Sequence, residues 1–520
     1  MSDTLKILIA TDNHVGYLEN DQIRGRDSFD TLEEVLILAK ENQVDFILLG
    51  GDLFHDNRPS LYCLNEVITL IREHCYGNKP CEFYIVSDQS VNFQSRSVHG
   101  ANVYDPNVNI SIPIFSIHGN HDDPSGLGNI CVLDVLANGG HINYFGRAYD
   151  FRDIQVNPIL FEKGATKLLL YGLGNIRDER LHHAWGDGNV KFPRPDPEME
   201  PAWYRNAFNL LVLHQNRVQH GPTSYIPEDF IPDFFNLVVW GHEHDCRIDP
   251  EACNGVDIIQ PGSSVATSLA EGEAIPKHVG LLEVTGTDYT LQKIPLNTVR
   301  PFEWTSVSLS EVPGLTPDPK ACEQYLTSVI EDLIKRAETK WKERQPEEQQ
   351  QQQREAPLPL IRVRVYYTAE FEAFNVVVFG KKFINRVANP KDILKFSRVA
   401  RSARQQQRNT RDTAANSTVP VPERLDTLKI ENLVGEILGR NLAVLPENEL
   451  QDVVQKLIEK DDKNALSSYV DQSLNRMKRR MIDSEDRSHI TDLSDDYVKR
   501  RALALKEERH NAYAQETHEE

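Results

Sequence analysis

The sequence predicts an α/β domain, then a small α+β domain and a C-terminal helix–loop–helix. Three observations predict it. Short β-branched runs alternate with helix-spaced patterns over the first 300 residues. Polar or glycine-containing turns follow those runs. Further along, the composition shifts at a glutamine tract and again at a stretch rich in Arg, Gln, Asn, Ser and Thr.

The first strands are expected at Lys6–Ala10, Asp45–Leu49, Ile112–Ile117, Lys167–Leu173, Leu210–Leu213 and Leu237–Trp240, all of strand length and rich in Leu and β-branched residues. Phe29–Glu41 and Leu61–Glu73 read as helices between them. This alternation implies a sheet covered on both faces. Gly280–Val284 and Tyr289–Ile294 read as a meander, which closes a first domain at 1–300. A second unit, 301–396, holds a helix over Ala321–Lys342, the exposed tract ERQPEEQQQQQREAPLP, the alternating strand LIRVRVYY and the segment FNVVVFGKKFINRVANP. Residues 397–424 read as a flexible basic linker. In 425–482, Leu433, Ile437, Leu450, Val453, Val454, Leu457 and Ile458 recur at helical spacing, with a break at Asn441–Pro446. An apolar stripe beyond a flexible linker calls for a partner. Residues 483–520 form a charged helical or disordered tail.

A net charge of −21 and a pI near 5.3 argue against a general nucleic-acid binder. The charge is uneven, however. PDPEMEP and the closing THEE are acidic, whereas Lys391–Arg411 is basic, so local patches decide. Seven cysteines without CxxC spacing read as reduced thiols of an intracellular protein. The start, MSDTLKILIATD, has no signal pattern, and no apolar run approaches the ~18 residues of a membrane span.

Nearly every strand of the first domain ends in a potential metal ligand. TDNH brings Asp12 and His14; GDLFHD brings Asp52 and His55; HGNHDD brings Asn120 and His121; then come His214 and, in GHEH, His242 and His244. Strand carboxyl ends converge on one crevice in α/β sheets. Carboxylate, imidazole and one amide oxygen suit Mn²⁺, Fe²⁺ or Zn²⁺ and not a thiolate site. Asp12 and His14 lie two apart, as do His242 and His244, so an extended chain would point each pair to one side. Two cations need a bridging anion, and Asp52 is the natural one. Asp12, His14, Asp52 and His244 are expected on one cation; Asp52, Asn120, His214 and His242 on the other. Gly51 and Gly119 allow tight turns and close backbone approach. Two cations roughly 3.5–4 Å apart hold a hydroxide and a phosphate oxygen for in-line attack. His121, beside Asn120 and free of coordination, is expected as the acid for the leaving oxygen, with His55 the second candidate near the phosphate. Asp56, Asp122, Asp123 and Asp245 are expected to orient imidazoles. His118, His141, His182, His183 and His220 carry no signal.

In order, TDNH, GGDLFHD, GNHDD, LHQNR and GHEH resemble the signatures of the calcineurin-like metallophosphoesterases. ATDNHVGY, FSIHGNHDDPSG, YGLGNIRDERL, VVWGHEHDC, QPGSSVATSL, KHVGLLEV and FINRVANPKDIL narrow the likeness to the Mre-eleven type of double-strand-break repair nuclease subunit, the eukaryotic relatives of bacterial SbcD. The resemblance implies a β-sandwich flanked by helices and a DNA-binding cap. It implies two Mn²⁺ per chain, 3′-to-5′ exonuclease activity on duplex ends and endonuclease activity on single strands. It further implies a homodimer through Leu61–Ile71 and Ile130–Leu136, and a coiled-coil ABC-type ATPase (Rad-fifty) bound through 425–482. An Nbs-type adaptor (nibrin) would bind near 87–113, and the location would be the nucleus. Eukaryotic members usually carry a long low-complexity tail; the sequence given stops at a charged segment ending in Glu520. Protein phosphatases of the superfamily read GDxxDRG; GDLFHDN here lacks the Arg fork that suits a terminal phosphate. A DNA-tethering scaffold with minor cleavage is the rival of another class.

The cap carries Arg362, Arg364, Lys381, Lys382, Arg386, Lys391 and Lys395, and Arg398, Arg401, Arg404, Arg408 and Arg411 follow as a basic string. Such residues neutralise phosphates without reading sequence, which suits ends of random sequence.

Overall fold

The computed structural model describes residues 2–94, 100–125, 127–219, 221–344, 356–368, 370–371 and 374–398. Most of the glutamine tract, the linker beyond Arg398, the segments 425–482 and 483–520, His220 and the arginines from Arg401 onward lie outside them.

The first-domain strands form two sheets rather than one. The first is ordered Asp288–Pro295, His278–Thr285, Leu5–Ala10, Phe46–Leu49, Ile114–Ser116 and Asn143–Tyr144. The second runs Arg247–Cys253, Val256–Gln260, Leu237–Gly241, Phe208–His214, Thr166–Leu173, Ile159–Lys163 and Tyr84–Ile85. Side-chain alternation explains the division. Ile7, Ile9, Phe46, Leu48 and Phe115 of the first sheet meet Leu168, Leu170, Leu210, Val212 and Val239 of the second in one buried layer. Their neighbours Leu8, Ala10, Ile47 and Leu49 face outward onto helices Asp27–Glu41, Leu61–Cys75 and Val132–Asn138. Leu169, Tyr171, Leu211, Leu213 and Trp240 face the helix Asp178–Gly186 and the loop around Phe235 on the far side. The residue pattern alone implies one sheet between helices, because period-2 patterning cannot say whether the second cover is helix or sheet; the two sheets form the helix-flanked β-sandwich that the resemblance implies. Among the described residues no helix is long and apolar enough to cross a membrane.

Leu5–Ala10, Phe46–Leu49 and Ile114–Ser116 are mutually parallel neighbours, and so are Phe208–His214 and Leu237–Gly241. Their carboxyl ends therefore share one rim. Gly50, Gly241 and His214 bring the sheets together there: a Cβ on Gly241 would collide with the Gly50 carbonyl, which accepts from His214 Nδ1 at 2.8 Å. Both residues need to be without bulk for this approach.

The smaller unit has a parallel sheet, Phe302–Ser308, Leu360–Tyr367 and Leu394–Arg398, covered by the helix Pro319–Arg344. Asp318 caps that helix through the Ala321 amide, ahead of Pro319 at the position where a missing N–H costs nothing. Leu326, Ile330, Leu333 and Ile334 bury its inner face on Ile361, Val363 and Val365. The β-branched run Val376–Val378 is helical, since Asn375 Oδ1 accepts from the amides of Val377 and Val378.

Candidate metal centre

Four candidate ligands hold strained backbone. Asp12, His14, Asp52 and His242 have φ of 51°, 45°, 50° and 90°, in the left-handed region. The extended geometry expected for Asp12–His14 is therefore wrong. The chain turns sharply because Asp12 N donates to Gly51 O and His14 N to Asp52 O, both at 3.0 Å. Each such non-glycine residue costs about 1–3 kcal/mol, a strain that clusters at functional sites.

The structure brings all seven candidates together. Asp52 Oδ2 lies 3.9 Å from His14 Nε2 and 3.3 Å from His214 Nε2. Asp12 Oδ1 lies 3.9 Å from His14 Nε2, 3.8 Å from His244 Nε2 and 4.0 Å from His214 Nε2. Asn120 Oδ1 is 2.9 Å from His242 Nδ1 and 3.3 Å from His214 Nε2. Asp12, His14 and His244 thus form one compact group, and Asp52, His214 and His242 another. Asp52 also accepts from His121 N at 2.8 Å through Oδ1. A Cβ on Gly119 would collide with that carboxylate.

The donor set fits divalent cations. Asp12 Oδ1 is fully buried and, among the described residues, has no hydrogen-bond donor. A carboxylate oxygen in that state needs a counter-charge. His14 Nε2 and His244 Nε2 face each other at 3.1 Å. His244 engages Glu273 Oε1 through Nδ1 at 2.9 Å, which turns Nε2 toward the centre; burial pulls that imidazole down, but the bond and charge of Glu273 raise it. Burial, then the neighbouring His244, lowers the His14 imidazole well below its ordinary range. Burial and His214 push His242 down to about 4. Both shifts favour the neutral ring, the form that can offer a lone pair to a cation. Burial also pulls on His214, but Asp52 and Asp12 outweigh it and hold that imidazole up at about 10.

The imidazoles are oriented by groups other than those expected. Glu273 orients His244 and Gly50 O orients His214. Asp122 instead binds backbone, taking the Gly119 amide on one oxygen and the Leu53 and Phe54 amides on the other. It ties the loop of Asn120 to that of Asp52. Glu273 accepts four further hydrogen bonds, from the amides and hydroxyls of Thr267 and Ser268. Burial alone would raise its carboxyl; the bond and charge of His244 hold it well below the usual carboxylate range. Glu243, between two ligands, accepts from the amides of Arg217 and Val218, while the Arg217 guanidinium spans Glu228, Glu251 and Gln260. A single acid or base in a loop has no spacing signature, so sequence reading missed Glu273 and Arg217. Thr11 Oγ1, which donates to Asp12 Oδ2 at 2.6 Å, was missed likewise.

His121 and His55 sit beside this centre. His121 Nδ1 donates to His55 O at 2.6 Å, their rings stack at 4.9 Å, and both rings lie against His14. His14, His55 and His121 could themselves group around an ion. That trio has no anion to offset a dication, and His121 Nδ1 is already engaged, so proton handling suits it better. His118 is a satisfied core residue, bonded to Tyr144 Oη and Asn175 O and pushed down to about 4 by burial.

In the smaller unit, Arg364 pairs in register with Lys395, and Arg362 lies on the same sheet face as Arg364. Lys382 and Arg386 reach acids of the long helix, Glu323 and Glu331. Lys381 and Lys391 are exposed.

Comparison with known proteins adds a family. Residues 5–246 match the calcineurin-like phosphoesterase family, and residues 289–457 match the Mre11 DNA-binding presumed domain. "Double-strand break repair protein MRE11" of Macaca fascicularis is 43% identical over 516 residues, 96% of this chain and 70% of that protein. The human protein of the same name is 42% identical over the same shares. Among solved structures, an archaeal phosphodiesterase aligns over 56% of this chain and 100% of its own, at 12% identity and a TM-score of 0.25.

Proposed function

The chain belongs to the MRE11 family of double-strand break repair proteins, a phosphodiesterase with a divalent-metal site, and from that premise we propose a Mn²⁺-dependent DNA nuclease that trims broken ends. We infer exonuclease action on duplex ends, 3′ to 5′, and endonuclease action on single strands. One observation carries the reading: the Asp52 carboxylate stands between two histidine groups, 3.9 Å from one and 3.3 Å from the other.

Asp12, His14 and His244 would hold one cation and Asn120, His214 and His242 the other, with Asp52 between. When bound, two such ions activate water at neutral pH and offset the charge of the phosphodiester. His121, with Nδ1 donating to His55 O, keeps Nε2 to carry a proton to the departing 3′ oxygen. His55, stacked on it, would face the phosphate. Arg362, Arg364, Lys381, Lys382, Arg386, Lys391 and Lys395 are the candidates for the DNA backbone, with Lys382 and Arg386 also meeting Glu323 and Glu331. Exposed Leu61, Tyr62, Ile130 and Val135 support a homodimer through those two segments. Exposed Val91 and Tyr104 support an adaptor near 87–113. An ATPase partner at 425–482 and a nuclear location complete the proposal.

Labelled duplex and hairpin DNA, incubated with Mn²⁺ and with chelator, test it; cleavage is expected only with Mn²⁺, and equal cleavage in chelator would reject it. Cation loading should also release a proton. His214 keeps its proton to about 10 until a cation takes Nε2, so apparent affinity should rise with pH up to that value. Calorimetry near neutral pH in two buffers of different ionisation heat reads the release. Identical heats would contradict it.

A further inference from the structure

One segment of the first domain touches both the metal centre and the smaller domain. At one end, Glu273 Oε1 meets His244 Nδ1 at 2.9 Å and the Thr267 amide at 2.9 Å, while Oε2 accepts from the Ser268 amide at 2.8 Å. Glu273 is 2% exposed, so these bonds are made out of water. At the other end, Ala266, Leu269 and Ala274 pack on Phe302, Trp304, Leu358 and Leu360 of the smaller domain. Between the ends, Tyr17 Oη donates to Thr267 O at 2.6 Å, and the Tyr17 ring lies 4.8 Å from that of His55. Arg24 Nη2 holds Ala266 O at 2.7 Å. Leu269 itself has a φ of 53°, a backbone that its surroundings must enforce.

We propose that Ala266–Ala274 is a strap through which the smaller domain sets the metal centre, with Glu273 the positioning residue that fixes the His244 ring. The inference rests on the metal reading above. An imidazole ligand is aimed by what its other nitrogen bonds, and losing that bond lowers cation affinity about 10–100-fold. Here the bonding carboxylate is itself placed by a loop whose apolar side chains Ala266, Leu269 and Ala274 pack on the smaller domain. Displacing that sheet releases Leu269 and Ala274, then Glu273, then His244. The seating of a DNA-binding domain would thereby be felt at one cation position without any contact to the ion.

Titration of the whole chain with Mn²⁺ by calorimetry, on wild type, Glu273→Gln, Trp304→Ala and the double variant, tests this. Glu273→Gln is expected to weaken one of two binding steps at least about tenfold. Trp304→Ala, which touches no ligand, should weaken the same step by a similar factor, and the double variant should lose no more than Glu273→Gln alone. Hydrogen exchange at the Thr267 and Ser268 amides should speed in Trp304→Ala, and Trp304→Phe should restore both readouts. Leu269→Ala repeats the test from the first domain's side should Trp304→Ala not fold. Unchanged Mn²⁺ binding in Trp304→Ala, or losses that simply add, overturns the strap. Wild-type protein that takes up no Mn²⁺ overturns the metal reading instead.

Discussion

Asp52→Ala is expected to lower DNA cleavage by at least about 10³-fold and to abolish loading of one or both cations, while leaving a folded protein. The carboxylate reaches His14 of one histidine group and His214 of the other, and its other oxygen takes the His121 amide. Removing it would leave the two proposed cations without a shared counter-charge and would loosen the loop of the proposed acid. The stability readout separates this from unfolding. A cation present at about 100 times its dissociation constant stabilises a protein by about 2.7 kcal/mol per site. Wild type should therefore gain Tm on adding Mn²⁺, and Asp52→Ala should gain little, with both melting alike in chelator. His214→Ala should behave similarly at its own position. Full Mn²⁺-dependent Tm gain in Asp52→Ala would remove the bridge from the account.

His121→Asn should do the opposite to metal and the same to chemistry. Cleavage is expected to fall about 10²–10⁴-fold, the usual contribution of a positioned acid, with both cations still bound. The asparagine amide can still donate to His55 O, so the loop keeps its anchor. Three outcomes are informative. Unchanged cleavage discards the acid role. Lost cation binding would instead make His121 a ligand, in the group with His14 and His55. Inactive protein that still bridges DNA ends and supports repair in full would favour the tethering scaffold.

Much of the site was legible because its chemistry is bound to strand ends. A ligand that must follow a parallel strand leaves a pattern of apolar run, then polar residue, and Asp12, Asp52, Asn120, His214 and His242 all follow it. The elements were legible for the same reason: Leu360–Tyr367 is the strand that its alternation predicts. What was illegible depends on space rather than order. The two-sheet arrangement is invisible to a periodicity that counts faces and not what covers them. The turn at Asp12–His14 is set by amides reaching Gly51 and Asp52, some forty residues away by the numbering. Glu273 lies far along the chain from His244 in a loop whose composition resembles any other. The ion pairs of Lys382 and Arg386 with Glu323 and Glu331 join residues more than fifty positions apart, which no local pattern signals.

Crystals soaked in Mn²⁺ and measured at the manganese absorption edge would locate the ions directly. Two anomalous peaks roughly 3.5–4 Å apart, with Asp52 touching both, are the expected result. A single peak, or two that share no side chain, would contradict the account.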